Sequence, residues 1–310
     1  MTGNYTGSPK RYILLAVGSP SDLKEFEKTY PALGNLTVHE YLAKKGILHP
    51  KVPIVVSCHR TLKRVMSYAL EAELFADTEG RRMVCVFFGG LSLALPGIFS
   101  SETSTLPIIG VPAWAKVHGG GIDAATAVYN LPPGTVVAGA PLHSGLHPGL
   151  DRAVLCAELI LDMESPEVVF SPSSGDMKYN KKAQEELAGI TYSTATDTGD
   201  TAEISLSIVD DSIELLGIDR SCVLALQCRA PTREDAELDS SSFTDTLETL
   251  EDTRNTLYFG NPANAVSFLK RILALSDRNL RQALIEDRKI QKESVIEKYG
   301  PKVKIDDVFS

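Results

Sequence analysis

Short, unbroken apolar runs punctuate the first half of the chain, and between them apolar residues recur at helical spacing. The runs Tyr12–Val17, Val52–Val56, Val84–Phe88, Leu106–Val111 and Val136–Ala138 are expected to be strands. A charged helix is expected to start over Asp22–Tyr30. Val65, Ala69, Ala72 and Phe75 predict one buried helix face, and Leu150, Val154, Ala157 and Leu161 predict another. Fully apolar strands separated by helices imply an α/β fold with a central parallel sheet covered on both faces. Ligands of such sheets sit at the carboxyl ends of the strands, and every unusual motif of this half falls at such an end.

The second half is less regular. Residues 193–203 and 233–254 are polar and acidic, and they read as long solvated loops or helix surfaces around a buried strand over Ser221–Leu226. Thr256–Gly260 then predicts a last strand, with Asn261 and Pro262 as cap and first turn of a helix striped by Val266, Leu269 and Leu273. A charged helix is expected from Asp277 to Lys298, with Leu280, Leu284 and Val295 as a thin seam suited to docking on a neighbouring subunit. There is a faint internal echo. Gly18-Ser19-Pro20-Ser21-Asp22 is matched by Ser171-Pro172-Ser173 before another expected helix, and the strand and helix at 135–161 parallel those at 256–274. Residues 166–310 are therefore either a decayed second copy of 1–165 or an insertion followed by displaced terminal helices.

A chain of 310 residues with 43 % apolar and 23 % charged residues can bury a large core. Its net charge of −9 argues against a nucleic-acid or anionic-membrane surface. Cys58, Cys85, Cys156, Cys222 and Cys228 form no zinc-type spacing and read as reduced thiols of a cytosolic protein. The amino-terminal apolar run is too short for a signal-peptide core or a membrane span. A soluble, cytoplasmic protein is the expectation.

The chemistry concentrates in three segments. Gly18 to Asp22 offers a close turn, the hydroxyls of Ser19 and Ser21 and a helix amino terminus, which together make an anion site. Asp22 is suited either to capping that helix or to holding a sugar diol. Ser57-Cys58-His59-Arg60-Thr61 adds a guanidinium able to grip phosphate through two bonds, and an imidazole, the side chain suited to moving one proton near neutral pH. Cys58 belongs to the strand, and no second motif supplies it with a base. Gly89 to Gly97 is a glycine turn in an apolar wall; it is neither a Walker loop nor a dinucleotide fingerprint, and it suits a small, weakly polar guest. His118, among glycines, is read as part of a mobile loop over the site, and His143 and His147 as turn residues.

Taken together the motifs resemble the PurE family, the aminoimidazole ribonucleotide carboxylases and carboxyaminoimidazole ribonucleotide mutases of purine synthesis. The resemblance covers about 11–162: Gly-Ser-Pro-Ser-Asp at 18–22, Ser-Cys-His-Arg-Thr at 57–61, Ala-Leu-Pro-Gly at 94–97, Pro-Ile-Ile-Gly-Val-Pro at 107–112, Gly-Ile-Asp at 121–123 and Asn-Leu-Pro-Pro-Gly at 130–134. Ala263-Asn264-Ala265 and the last helix look like the family's ending, displaced by the second half.

The resemblance implies a three-layer α/β/α sandwich, flavodoxin-like, assembling as an octamer. It implies that Ser19, Ser57 and Arg60 hold a ribotide phosphate, with Ser21 beside them, and that Asp22 holds the ribose hydroxyls. His59 would be the general acid and base at the imidazole carbon that receives the carboxylate. Gly89, Gly90, Leu91, Ala94, Leu95 and Pro96 would shape the pocket for CO2. No metal or organic cofactor is implied. The Ser-x-His-Arg pattern favours the mutase over the direct carboxylase. Two departures bear on the guest ring: Ala94 stands where the family has histidine, and Leu91 where it has glycine. They keep open a related carboxylase or decarboxylase on another heteroaromatic nucleotide, or a ribotide-binding homologue without catalysis. A decayed second copy would lack a His-Arg site, and four such chains would build the family's eight-unit shell; without the duplication the expectation is an octamer.

Overall fold

The computed structural model describes residues 9–78, 80–90, 93–114, 122–144, 149–172, 177–194, 204–209, 223–229 and 255–299. The expected segment 233–254, and with it Leu91, Cys222, His118 and His147, lies outside these.

The first half comprises β1 (Lys10–Val17), α1 (Leu23–Phe26), β2 (Thr29–Tyr30), β3 (Leu36–Thr37), α2 (Val38–Lys44), β4 (Ile54–Val55) and α3 (Leu62–Ala76). It continues with β5 (Arg81–Gly89), α4 (Leu95–Glu102), β6 (Ile108–Pro112), α5 (Ile122–Tyr129), β7 (Ala138–Gly139) and α6 (Gly149–Asp162). The second half adds β8 (Val168–Ser171), α7 (Met177–Glu186), β9 (Ser193–Thr194), β10 (Ile204–Val209), β11 (Leu224–Arg229), β12 (Thr256–Phe259), α8 (Pro262–Leu273) and α9 (Arg278–Tyr299).

The apolar runs form strands because both of their faces are buried. In β5, Val84, Val86 and Phe88 pack on one side with α6, while Met83, Cys85 and Phe87 pack on the other with α3 to α5. That alternation is the expected α/β sandwich, built on a mostly parallel sheet. Ten strands join in the order β4-β1-β5-β6-β7-β12-β11-β10-β8-β9. All neighbours are parallel except β7 and β12, which meet antiparallel at Gly139 and Tyr258. Counting inward from either edge, each half has its own second strand outermost, then its first, third, fourth and fifth. Strand ends of the two halves consequently point in opposite directions.

Several boundaries differ from the sequence reading. The helix expected over Asp22–Tyr30 is a 3-10 turn at Pro20–Asp22 followed by the four residues of α1. Tyr30 instead pairs with Leu36 in the β2–β3 ribbon, since Pro31 disfavours helical backbone at the preceding residue. Of Val52–Val56 only Ile54–Val55 pairs, at the sheet edge. The strand at 221–226 runs later, over Leu224–Arg229. The sequence reading missed α2, although Thr37 and Glu40 form a capping box at its start.

The halves are fastened by polar side chains of the second. Asn264 accepts from the Gly134 amide at 3.0 Å and donates to the carbonyls of Leu131 and Pro132 at 3.2 Å. Arg271 is buried and donates to the carbonyls of Leu106 and Thr103 at 2.9 and 3.1 Å. Desolvation pulls its pKa down to about 10, so it stays cationic at neutral pH. Polar side chains tie α9 to the first half: Arg288 donates to the Ser101 and Gly134 carbonyls, and Arg281 and Lys292 pair with Asp77 and Glu102.

At the junction Gly139 has no room for a side chain. A Cβ there would lie 2.0 Å from the buried Tyr129 ring, which is itself tied to the Ala140 carbonyl at 2.6 Å. Gly139→Ala is expected to lower stability by about 2–3 kcal/mol through overpacking. Urea unfolding measures this, and an unchanged midpoint would contradict a close-packed junction.

Candidate active site

Strand register assembles the site. Val17 of β1 lies opposite Val55 of β4 on one side and Phe88 of β5 on the other. The Val56 amide donates to the Val17 carbonyl at 3.0 Å, and the Gly18 amide to the Phe88 carbonyl at 3.3 Å. Gly89 in turn pairs with Pro112 of β6. Three adjacent parallel strands therefore end level with one another, and the segments starting at Gly18, Ser57 and Gly90 leave the sheet side by side.

In the first segment Ser19 is extended and caps the 3-10 turn. Its hydroxyl accepts from the Ser21 amide at 3.2 Å and is bonded to the Ser21 hydroxyl, while its own amide donates to Asp22 Oδ2 at 3.1 Å. Burial pushes the Asp22 carboxyl above its ordinary value, and the bonds from Ser19 only partly offset this. The carboxylate is thus held in an environment that disfavours its charge.

Ser57 to Thr61 closes on itself. The Thr61 amide and hydroxyl donate to the Ser57 carbonyl at 2.8 and 2.9 Å, and the Ser57 amide donates back to Thr61 Oγ1 at 3.2 Å. The side chains of His59 and Arg60 are left facing solvent, at the amino terminus of the fifteen-residue α3. The helix dipole and Arg60 favour an anion at that point. Cys58 is half-buried, and burial raises its pKa, which opposes a nucleophilic thiolate.

The third segment supplies a bare backbone. A Cβ on Gly89 would lie 3.1 Å from Leu93, 3.6 Å from Asp22 Oδ2 and 3.8 Å from the Gly18 nitrogen. Gly89 is therefore the place where the first and third segments meet. Ala94 stands half-buried at the start of α4, whereas Leu95 and Pro96 are buried and support the turn from beneath.

His143, read from the sequence as a turn residue, is buried beside this region. Its Nδ1 accepts from the Leu150 amide at 3.2 Å, so the Nε2 proton faces Glu25 at 3.0 Å. Burial pushes the His143 pKa down against the pull of Glu25, which favours the neutral ring. Burial also disfavours the Glu25 charge, but bonds from Lys28 and His143 outweigh it and hold that carboxyl below its ordinary value. The pair links α1 to the strand end at Ala113–Trp114, and its partners lie too far apart in sequence for spacing to reveal it. Among the described residues no three His, Cys, Asp or Glu side chains cluster as a metal site would require.

The segments that leave β1 and β4 side by side carry hydroxyls, a carboxylate, a guanidinium and an imidazole, with the amino terminus of α3 following. The family model for AIR carboxylase matches residues 12–171. The N5-carboxyaminoimidazole ribonucleotide mutase of Methanocaldococcus jannaschii is 32 % identical over 148 residues, spanning 48 % of this chain and 78 % of that protein. The protein of the same name from Saccharolobus solfataricus is 36 % identical over 114 residues, spanning 37 % of this chain and 65 % of its own length. The order of the six motifs, the mostly parallel sheet and the match over half the sequence agree: the chain belongs to the AIR carboxylase family of enzymes, the PurE family of the motif comparison.

Proposed function

We propose that the chain moves a carboxyl group on aminoimidazole ribonucleotide, as a carboxyaminoimidazole ribonucleotide mutase of purine synthesis. The observation that supports this reading is the level ending of β1, β4 and β5, from which the segment carrying Ser19 and Asp22 and the segment carrying Ser57, His59 and Arg60 leave the sheet side by side. Ser19, Ser57 and Arg60 hold the phosphate, with Ser21 bonded to Ser19 in support, and Asp22 accepts from the ribose hydroxyls.

The step balances without a cofactor. The nitrogen–carbon bond of the N-carboxy group breaks, CO2 leaves, and the ring amine takes a proton from His59. The ring carbon then attacks the same CO2, a carbon–carbon bond forms, and that carbon's proton returns to His59. CO2 is retained beside the backbone of Gly89 and Gly90, so the second bond forms before it escapes. Ala94 favours keeping a second reading, in which the same cleft carboxylates or decarboxylates another heteroaromatic ribotide, or only binds one.

For the second half we propose a decayed copy of the first, whose role is structural. The support is the shared strand order on either side of β7 and β12, and the absence of a His-Arg pair between Ser171 and the end of the sequence. Four chains would then form an eight-unit assembly in the cytoplasm. No helix among the described residues is long and apolar enough to cross a membrane. A solution mass of four chains is expected; a monomer, or eight chains, would overturn the proposed assembly.

Incubation with N5-carboxyaminoimidazole ribonucleotide is expected to yield the carbon-carboxylated isomer. His59→Asn should abolish turnover while retaining ribotide binding, and loss of binding instead would contradict the proton-carrier role. Asp22 gives a linked test of stability and function. Its raised folded-state value means that the ionised carboxylate opposes folding at pH 7, and that this cost fades as pH falls through the raised value to the ordinary 3.8. Asp22→Asn should therefore melt no earlier than the native chain at pH 7, with the difference narrowing toward pH 4, while its ribotide affinity falls about tenfold. An earlier melt, or unaltered affinity, would contradict this.

A further inference from the structure

The cleft as built so far grips a phosphate, a sugar and a proton, but nothing yet holds the flat face of the ring. One side chain is placed to do so. Trp114 is the only tryptophan of the sequence, and it is 55 % exposed just beyond β6. Its backbone is fixed on both sides: the Ala113 amide donates to the Gly89 carbonyl at 2.9 Å, and the Trp114 amide to the His143 carbonyl at 2.7 Å. Trp114 thus follows directly on the residue that touches Gly89, where Gly18 and Asp22 also converge.

Its direction follows from the pleat. Ile109, Val111 and Ala113 pack into the core on the side of α1, α2 and α6. Ile108 packs on the other side, and a Cβ on Gly110 would touch Val128 of α5 and Pro96 of α4. Carried two residues beyond the end of β6, the same alternation puts Trp114 toward the side of α3 to α5. That is the side on which Ser57–Thr61 enters α3 and the glycine turn enters α4. Among the described residues of the segments that border the cleft (18–22, 57–61, 89–97 and 112–114), Trp114 is the one Phe, Tyr or Trp. A large indole left in water forgoes the burial that its size would give, whereas over a cleft it offers a π-face and an N–H donor.

We propose that Trp114 is the ring platform of the site: its indole stacks on the heteroaromatic ring of the ribotide and helps select it. The inference rests on the ribotide reading above and assigns that reading its missing contact. It also gives a physical counterpart to the altered wall at Ala94, because a ring held from the β6 side depends less on a side chain at that position.

The single tryptophan makes the test specific. The native chain is titrated by intrinsic fluorescence with aminoimidazole ribonucleotide and, separately, with ribose 5-phosphate, which lacks the ring. The ribotide is expected to change the emission and ribose 5-phosphate to leave it nearly unchanged. Trp114→Ala should weaken ribotide binding and raise KM about tenfold, the order of one base–aromatic stack, with ribose 5-phosphate affinity unaltered. Trp114→Phe should recover most of the loss. Equal responses to both ligands, or a Trp114→Ala chain with native KM and native ribotide affinity, would overturn the platform and leave the proposed reaction standing. A native chain that binds no ribotide would overturn both.

Discussion

The parallel register of β4, β1, β5 and β6 is the constraint on which the rest of the site depends. Val17 faces Val55 and Phe88 at the same level, and Gly89 faces Pro112 one step further on. A slip of one residue in any of these pairs would send the side chains beyond it to the opposite face. The register holds because both faces of β1 and β5 are buried: Ile13, Leu15 and Val17 lock one side, and Ala16, Cys85 and Phe87 lock the other. Core packing, far more than any bond within the cleft, decides that Gly18, Ser57 and Gly89 are neighbours.

The local chemistry refines what register brings together. The segment at Ser57 is held closed by its own Thr61, and the segment at Ser19 by its own Ser21 and Asp22. Neither depends on the other half of the chain. The second half acts from behind. Asn264 ties down Leu131–Gly134, and Arg271 and Arg288 hold carbonyls at either end of the segment that runs from α4 to β6. A buried cation that spends its donors on carbonyls is costly to remove, so these residues fix the sandwich beneath the pocket.

Much of this was legible in the sequence because its strongest signals are of the kind that local physics sets. Continuous apolar runs marked β1, β5 and β6 within three residues at each end, and the motifs after β1, β4 and β5 leave the sheet side by side. The misreadings have physical causes. Tyr30 was assigned to a helix because the charges before it fit one, while its pairing with Leu36 and the effect of Pro31 favour a ribbon. His143 looked like a turn residue because its partner, Glu25, is 118 positions away. β8 and β10 are short apolar runs between polar stretches, and their pairing is a matter of tertiary context. Trp114 carried no motif at all, and only its place beside Gly89 singles it out.

The account stands or falls on where the ribotide lies. A crystal structure of the chain with aminoimidazole ribonucleotide bound is the most direct measurement. The account predicts the phosphate against Ser19, Ser57 and Arg60, with the ring carbon within about 3 Å of the His59 imidazole. A ribotide bound at the opposite strand ends, or in the first-half cleft with its ring turned away from His59, would contradict it.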